Sequence, residues 1–382
     1  MVTKSLLLLV VVFSGCGIQS IYINNHYPSS SNIVQDSITH SLFLIGDAGE
    51  PVSDGVEPTF RILTQQASQS PKSSTIIFLG DNIYPRGLPE INDPLRKEME
   101  RRLEEQIKIG TESGAQTIFI PGNHDWEYQG KNGWKTIQRE EEFIDSKNLS
   151  HVTLLPKHGL PGPTVVEIGN DIRIIAIDTE WWLHSFNKPL YDHDSIESQT
   201  MKRFLDSLSF VLESGKDRNV IVVAHHPLET HGEHGGFFGW KDHIFPLRKI
   251  VPWLWVPLPG IGSLYPLSRI WGISDQDLSG SKNREMRNAI DSVLSRFNVT
   301  AYASGHEHTL QVLSKKASHL YLVSGKGIQK HQEALTYGDN TIFASPFQGF
   351  MRLDFFVNKS IRLSVIDTQG EDGIEIFSMM LP

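Results

Sequence analysis

A chain of 382 residues with 39% hydrophobic and 21% charged residues has the balance of a soluble globular protein, with material for one large domain or two ordinary ones. The formal net charge of -9 excludes a general nucleic-acid binder, which needs a basic surface. A single cysteine, Cys16, excludes an intramolecular disulfide.

At the N-terminus Lys4 precedes an apolar run, residues 6–13, and then Ser14, Gly15 and Cys16. The run is too short to cross a bilayer as a helix. A basic start, a short apolar centre and small residues at the cut mark a secretory signal over 1–15. "FSGC" resembles the lipobox of bacterial lipoproteins, with Phe13 where Leu is usual. The resemblance implies cleavage before Cys16, lipidation of that cysteine, and a lipid-anchored place in the bacterial cell envelope, periplasmic or surface-exposed. An ordinary cleaved signal is the alternative. Residues 16–38, rich in Ser and Asn, are expected to tether the domain to the membrane.

One domain is expected over 39–382. Apolar strand candidates lie at 42–45, 75–79, 117–120, 172–177, 220–224, 300–303 and 319–323. Amphipathic helices fall between several of them. One carries Leu95, Met99, Leu103 and Ile107 as a stripe. A second carries Ile196, Phe204, Leu208 and Val211 and stops at Gly215, and a third covers 283–297. This alternation predicts an α/β fold. Two β-rich runs around Asn358 and Lys359 predict a C-terminal hairpin. A Trp/Pro-rich insertion at about 240–282 interrupts the rhythm. It is expected to pack on the domain, with an interfacial loop as the alternative reading.

Five strand ends share one grammar, an apolar strand followed by residues of metal-ligand type. They are "LFLIGDAGE" with Asp47, "IIFLGDNIY" with Asp81 and Tyr84, "IFIPGNHDW" with Asn123 and His124, "VIVVAHHPL" with His225 and His226, and "AYASGHEHTL" with His306 and His308. Singly, an Asp here is a turn former or helix cap, Tyr84 a packing residue, and the histidine pair a bonded core pair. Jointly they predict a metal site, because loops beyond the carboxyl ends of strands converge in α/β sheets. A strand-like "GHEH" loop would point His306 and His308 the same way.

In this order "GDAG", "GDNIY", "GNHD", "VVAHHP" and "GHEH" resemble the blocks of the calcineurin-like metallophosphoesterases, and Tyr84 narrows the likeness to purple acid phosphatases, especially the tartrate-resistant type. "AIDTE" at 176–180 and "SGKG" at 324–327 are also similar to family segments. The resemblance implies a two-sheet mixed β-sandwich flanked by α-helices, with a dinuclear metal site at strand C-terminal ends. By position it implies Asp47, Tyr84 and His308 at one metal, Asn123, His225 and His306 at the other, and Asp81 bridging. It implies Fe(III) at the Tyr84 site and divalent Fe, Zn or Mn at its neighbour. His124 and His234 are the implied acid–base residues, with His231 as the competitor of His234. His226 is read as a packing residue. The implied activity is phosphate monoester hydrolysis, in which a metal-activated hydroxide attacks phosphorus. A phosphodiesterase or nucleotidase is the alternative on the same fold, and a non-catalytic ligand-binding lipoprotein the alternative of another class.

Overall fold

The structure, a computed structural model, describes residues 20–27, 36–249, 251, 253–315, 319–328 and 333–381. The expected signal over 1–15 and Cys16 lie outside the described residues. In chain order the strands are Tyr22–Ile23 (β1), Ile38–Ile45 (β2), Ser74–Phe78 (β3), Gln116–Phe119 (β4), Val152–Leu154 (β5), Thr164–Ile168 (β6), Ile172–Ala176 (β7) and Asn219–Val223 (β8). Then come Ala301–Ser304 (β9), Leu310–Lys315 (β10), His319–Ser324 (β11), Thr341–Ser345 (β12), Gly349–Phe356 (β13), Ile361–Asp367 (β14) and Ile374–Met380 (β15). The α-helices are Pro58–Ala67 (α1), Arg96–Ser113 (α2), Gly133–Ser146 (α3), Thr179–Leu183 (α4), Glu197–Glu213 (α5), Trp240–Ile244 (α6), Leu264–Ile270 (α7) and Ser281–Leu294 (α8).

Two sheets result, one in the order β1-β12-β10-β11-β9-β8-β7-β6 and one in the order β15-β14-β13-β2-β3-β4-β5. The first has a parallel centre and antiparallel flanks, and the second is antiparallel from β15 to β2 and parallel from β2 to β5. Period-two alternation explains the stacking. Leu42, Leu44, Ile77 and Leu79 of one sheet meet Ile174, Ile221, Val223 and Ala303 of the other in a shared core. The intervening residues Phe43, Ile45, Ile76 and Phe78 face outward, under α1, α2 and α3. On the opposite side Ile175, Val222 and Tyr302 lie under α4, α5 and α8. The fold is therefore helix, sheet, sheet, helix, as expected. The hairpin also forms: β13 and β14 pair with Phe355 opposite Ile361, and Lys359 in the turn takes φ 69.

Three expectations are corrected. The α5 stripe runs through Thr200, Phe204, Leu208 and Leu212, while Ile196 is exposed. Ile196 caps the helix in extended backbone (φ -144), so it falls outside the periodic face. Part of the expected tether is docked: β1 pairs with Phe343 and Ala344, and Tyr22 stacks on Tyr337 with ring centroids 4.0 Å apart. The insertion does pack through one side, but Trp240, Trp253, Trp255 and Trp271 all stand exposed. Its prolines break it into short helices that cannot bury a continuous face. Among the described residues no helix is long and apolar enough to cross a membrane.

Candidate metal centre

Register brings the ligands to one edge. Ile45 lies opposite Phe78, and Phe78 opposite Phe119, so Asp47, Asp81 and Asn123 leave their sheet side by side. In the other sheet Val223 lies opposite Ala303, which brings His225 and His306 to the same edge. The turns are tight. A Cβ at Gly122 would stand 2.3 Å from Asp81 Oδ1, and one at Gly80, where φ is +91, would stand 2.5 Å from His225 Nδ1. Only glycine allows these approaches. Asp47, Asp81 and His306 hold left-handed backbone conformations, with φ of 58, 55 and 66. The extended "GHEH" loop is thereby corrected. The turn at His306 sends its ring to one group of ligands and His308 to another.

The first group gathers on the Tyr84 hydroxyl. It lies 3.1 Å from Asp47 Oδ1, 3.0 Å from Asp81 Oδ2 and 3.1 Å from His308 Nε2. The far nitrogen of His308, Nδ1, lies 2.8 Å from Glu333 Oε1. The second group gathers on Asn123 Oδ1, which lies 2.9 Å from His225 Nε2 and 3.1 Å from His306 Nδ1. Those two nitrogens are 3.2 Å apart, and Asp81 Oδ1 is 3.4 Å from His225 Nε2. Asp81 thus gives one oxygen to each group.

The second group fits a cation on its own chemistry. His225 Nδ1–H donates to the Leu79 carbonyl at 2.8 Å, and His306 Nε2–H to the Gln276 carbonyl at 2.9 Å. Their inward nitrogens are therefore lone pairs, facing an amide oxygen and a carboxylate oxygen. Burial, with the imidazoles of His234, His226 and His225 around it, holds His306 well below its ordinary range, so it is neutral. With both rings neutral these are four acceptors aimed at one another, which a cation satisfies. In the first group burial alone would push His308 down, but Glu333 and Asp47 hold it well above its ordinary range. A proton there supplies charge that a cation would otherwise bring. Burial, with Asp47 and Asp81 beside it, raises the Tyr84 phenol well above its usual value. A bound cation reverses that logic and favours phenolate. Burial also pushes Asp81 up, yet His225 and His124 bring it down to about 2.

The remaining predicted residues line the site. His124 donates its backbone N–H to Asp81 Oδ1 at 2.9 Å and Nδ1–H to the Pro85 carbonyl at 2.7 Å. Its ring lies 4.3 Å from that of Tyr84, and Nε2 is 3.9 Å from Asp81 Oδ2. The His234 ring lies 3.9 Å from that of His306. His231 turns away, with Nε2 2.8 Å from Asn340 Oδ1. Both nitrogens of His226 are engaged, Nδ1 by Thr179 Oγ1 at 2.9 Å and Nε2 by Gln276 Oε1 at 2.8 Å.

Four supporting residues escaped the sequence reading. Glu307 is fully buried and accepts the backbone N–H groups of Glu233 and His234, both at 3.0 Å. Glu333 holds His308. Asp277 Oδ1 lies 3.0 Å from His234 Nδ1 and is ion-paired with Arg269. Gln276 offers its carbonyl to His306 and its side chain to His226. Arg269, Gln276 and Asp277 all belong to the insertion, where no strand-end pattern marked them. The histidine pair flanking Glu307 in "GHEHTL" was the one available signal for it.

Comparison with known proteins bears on the fold and the family. The family model of calcineurin-like phosphoesterases matches residues 40–310. No curated protein sequence matches the chain. Among solved structures, GAP50, the anchor in the inner membrane complex of Plasmodium, is 15% identical, with TM-score 0.58 over 90% of this chain and 89% of that one. A purple acid phosphatase, PPD1 from yellow lupin (Lupinus luteus) seeds, is 14% identical, with TM-score 0.53 over 91% of this chain and 54% of that one. At such identities these two likenesses speak for the fold. The family match spans more than half of the chain, and with it the chain belongs to the calcineurin-like phosphoesterases.

Proposed function

We propose that this phosphoesterase is a phosphomonoester hydrolase of the purple acid phosphatase type, with Fe(III) at the Tyr84 site and divalent Fe, Zn or Mn beside it. The observation that carries the reading is Asp81, whose two oxygens serve two ligand groups, one of which contains a phenol. Two cations held there supply charge to clamp a phosphoryl group and to lower the pKa of water.

The chain's own residues do the rest. Asp81 fixes the spacing of the two groups. The Leu79 and Gln276 carbonyls lock the tautomers of His225 and His306, so their lone pairs need no reorientation. Protonated under acid conditions, His124, with Nδ1 tied to Pro85, presents Nε2–H to a phosphoryl oxygen. His234, with Nδ1 tied to Asp277, is likewise protonated under acid conditions and gives its Nε2 proton to the departing alkoxide. Retention in the cell envelope through a lipidated Cys16 completes the proposal.

Iron loading tests the metal assignment directly. Tyr84 phenolate on Fe(III) is expected to give a visible charge-transfer band that Tyr84→Phe removes. A colourless iron-loaded protein would sink the purple-type reading. Phosphate release from an aryl monoester but not from a bis-aryl diester is expected, and the reverse preference would make it a diesterase. No release from either substrate with both metals bound would favour a ligand-binding protein. Cys16→Ala is expected to free the protein from the membrane fraction, and unchanged retention would remove the anchor.

A further inference from the structure

Of the twenty-one large apolar side chains that stand exposed among the described residues, nine fall between residues 240 and 273. Four are tryptophans, with Trp253 77% and Trp271 70% exposed. The chain has eight tryptophans, and the other four, Trp126, Trp134, Trp181 and Trp182, pack in one core cluster. Exposed apolar surface so concentrated marks an interaction site.

The insertion is not loose. Leu258 N–H donates to the Ile244 carbonyl at 2.7 Å, Arg248 pairs with Asp242 at 2.7 Å, and Lys249 pairs with Glu233. Its polar groups are tied to one another and to the domain, and its tryptophans face solvent. Arg248 lies over the Trp255 ring at 5.4 Å and Lys241 over the Trp240 ring at 5.9 Å. Indole rings beside long cationic side chains suit the headgroup zone of a bilayer, where the ring body is buried and the charge stays wet.

A second observation names the same occupant. The chain enters the described fold at β1, where Tyr22 stacks on Tyr337. The segment carrying Tyr337 also meets the root of the insertion. Leu335 bridges Gly232, and Ala334 N–H donates to Glu233, the partner of Lys249. From residue 16 to Tyr22 an extended chain reaches at most about 20 Å. An anchor at residue 16 would therefore lie within about 20 Å of Tyr22, which rests on the segment that also meets the root of the insertion.

We propose that the outer face of the insertion is a membrane-binding surface that lays its tryptophans into the headgroup region of a bilayer. Residues 17–382, which keep every described element and lack Cys16, separate this surface from the lipid anchor. The metal-loaded protein is expected to sediment with vesicles of phosphatidylcholine and phosphatidylglycerol, with a blue shift of tryptophan emission. Trp253→Ala with Trp271→Ala is expected to weaken that partition by about tenfold or more. Hydrolysis of a soluble aryl phosphate is expected to stay unchanged, so the result is independent of the proposed activity. Absence of sedimentation overturns the proposal, as does equal sedimentation of the double variant. So does a wild-type mass of two chains that falls to one in the variant, since a second copy then covers the face.

Discussion

Trp181 and Trp253 are the same residue type in opposite settings. Trp181 is fully buried on α4, packed under the sheet, with its Nε1–H donating to the Pro189 carbonyl at 2.7 Å. Trp253 stands in water on the insertion. The surroundings differ in the same way. Around the strand ends, alternation leaves every second side chain in a core, and the ligands sit on turns braced from both sheets. In the insertion, prolines cut the backbone into pieces too short to bury a face. Its contribution to the metal centre comes from Arg269, Gln276 and Asp277 instead. The rigid part of the molecule supplies ligands, and the insertion supplies the groups that aim them.

Substitutions sharpen that contrast, and the largest effect belongs to the strand ends. Asp81→Asn removes one of two oxygens that serve both groups. It is expected to lower metal content from two ions to one or none and to reduce turnover by far more than about a hundredfold, since even the outer partners of ligands cost roughly 10–100-fold. Metal analysis beside a phosphate-release assay checks this, and full metal content in the variant would contradict the bridge. Trp181→Ala comes next. Removing a fully buried indole is expected to cost about 3–5 kcal/mol of stability, read from denaturant unfolding.

The insertion's inner side should give a smaller, more selective effect. Asp277→Asn keeps the shape of the side chain but takes away the carboxylate that fixes His234. Turnover of an alkyl phosphate, whose leaving group needs a proton, is expected to fall about tenfold, while an aryl phosphate with a good leaving group changes little. Metal content is expected to stay at two. Equal losses on both substrates would indicate that Asp277 is only structural.

The same contrast explains what was legible in sequence. Seven strands could be read because each is a continuous apolar run bounded by turn residues, as with Thr75 to Leu79. The expected ligands could be read because each follows such a run directly. Strands β1 and β5 escaped because two or three residues carry no pattern, and β6, β10, β12 and β15 because flanking strands mix polar and apolar residues, as in "TVVEI" and "LQVLSK". Helix α3 escaped because buried Glu140 and Glu141 interrupt its apolar face. Glu140 is held there by the side chain of buried Asn82, at 3.1 Å, a contact between residues 58 positions apart. Glu333 and Asp277 were illegible for a related reason. Their significance lies in what they touch, and His308 and His234 are 25 and 43 residues away.

The smallest expected effect is the most informative about the insertion. An exposed tryptophan that contributed to the fold would cost stability when removed. One kept for a surface would cost almost nothing. Trp253→Ala is expected to change unfolding free energy by no more than about 0.5 kcal/mol, the range of surface substitutions away from special features. Denaturant midpoint and slope should both match the wild type, because little buried surface is lost. A loss of about 2 kcal/mol or more would mean that the indole is packed in solution, and the contrast with Trp181 would then disappear. A variant as stable as the wild type but with weaker vesicle partition would instead separate the residue's role in binding from any role in folding.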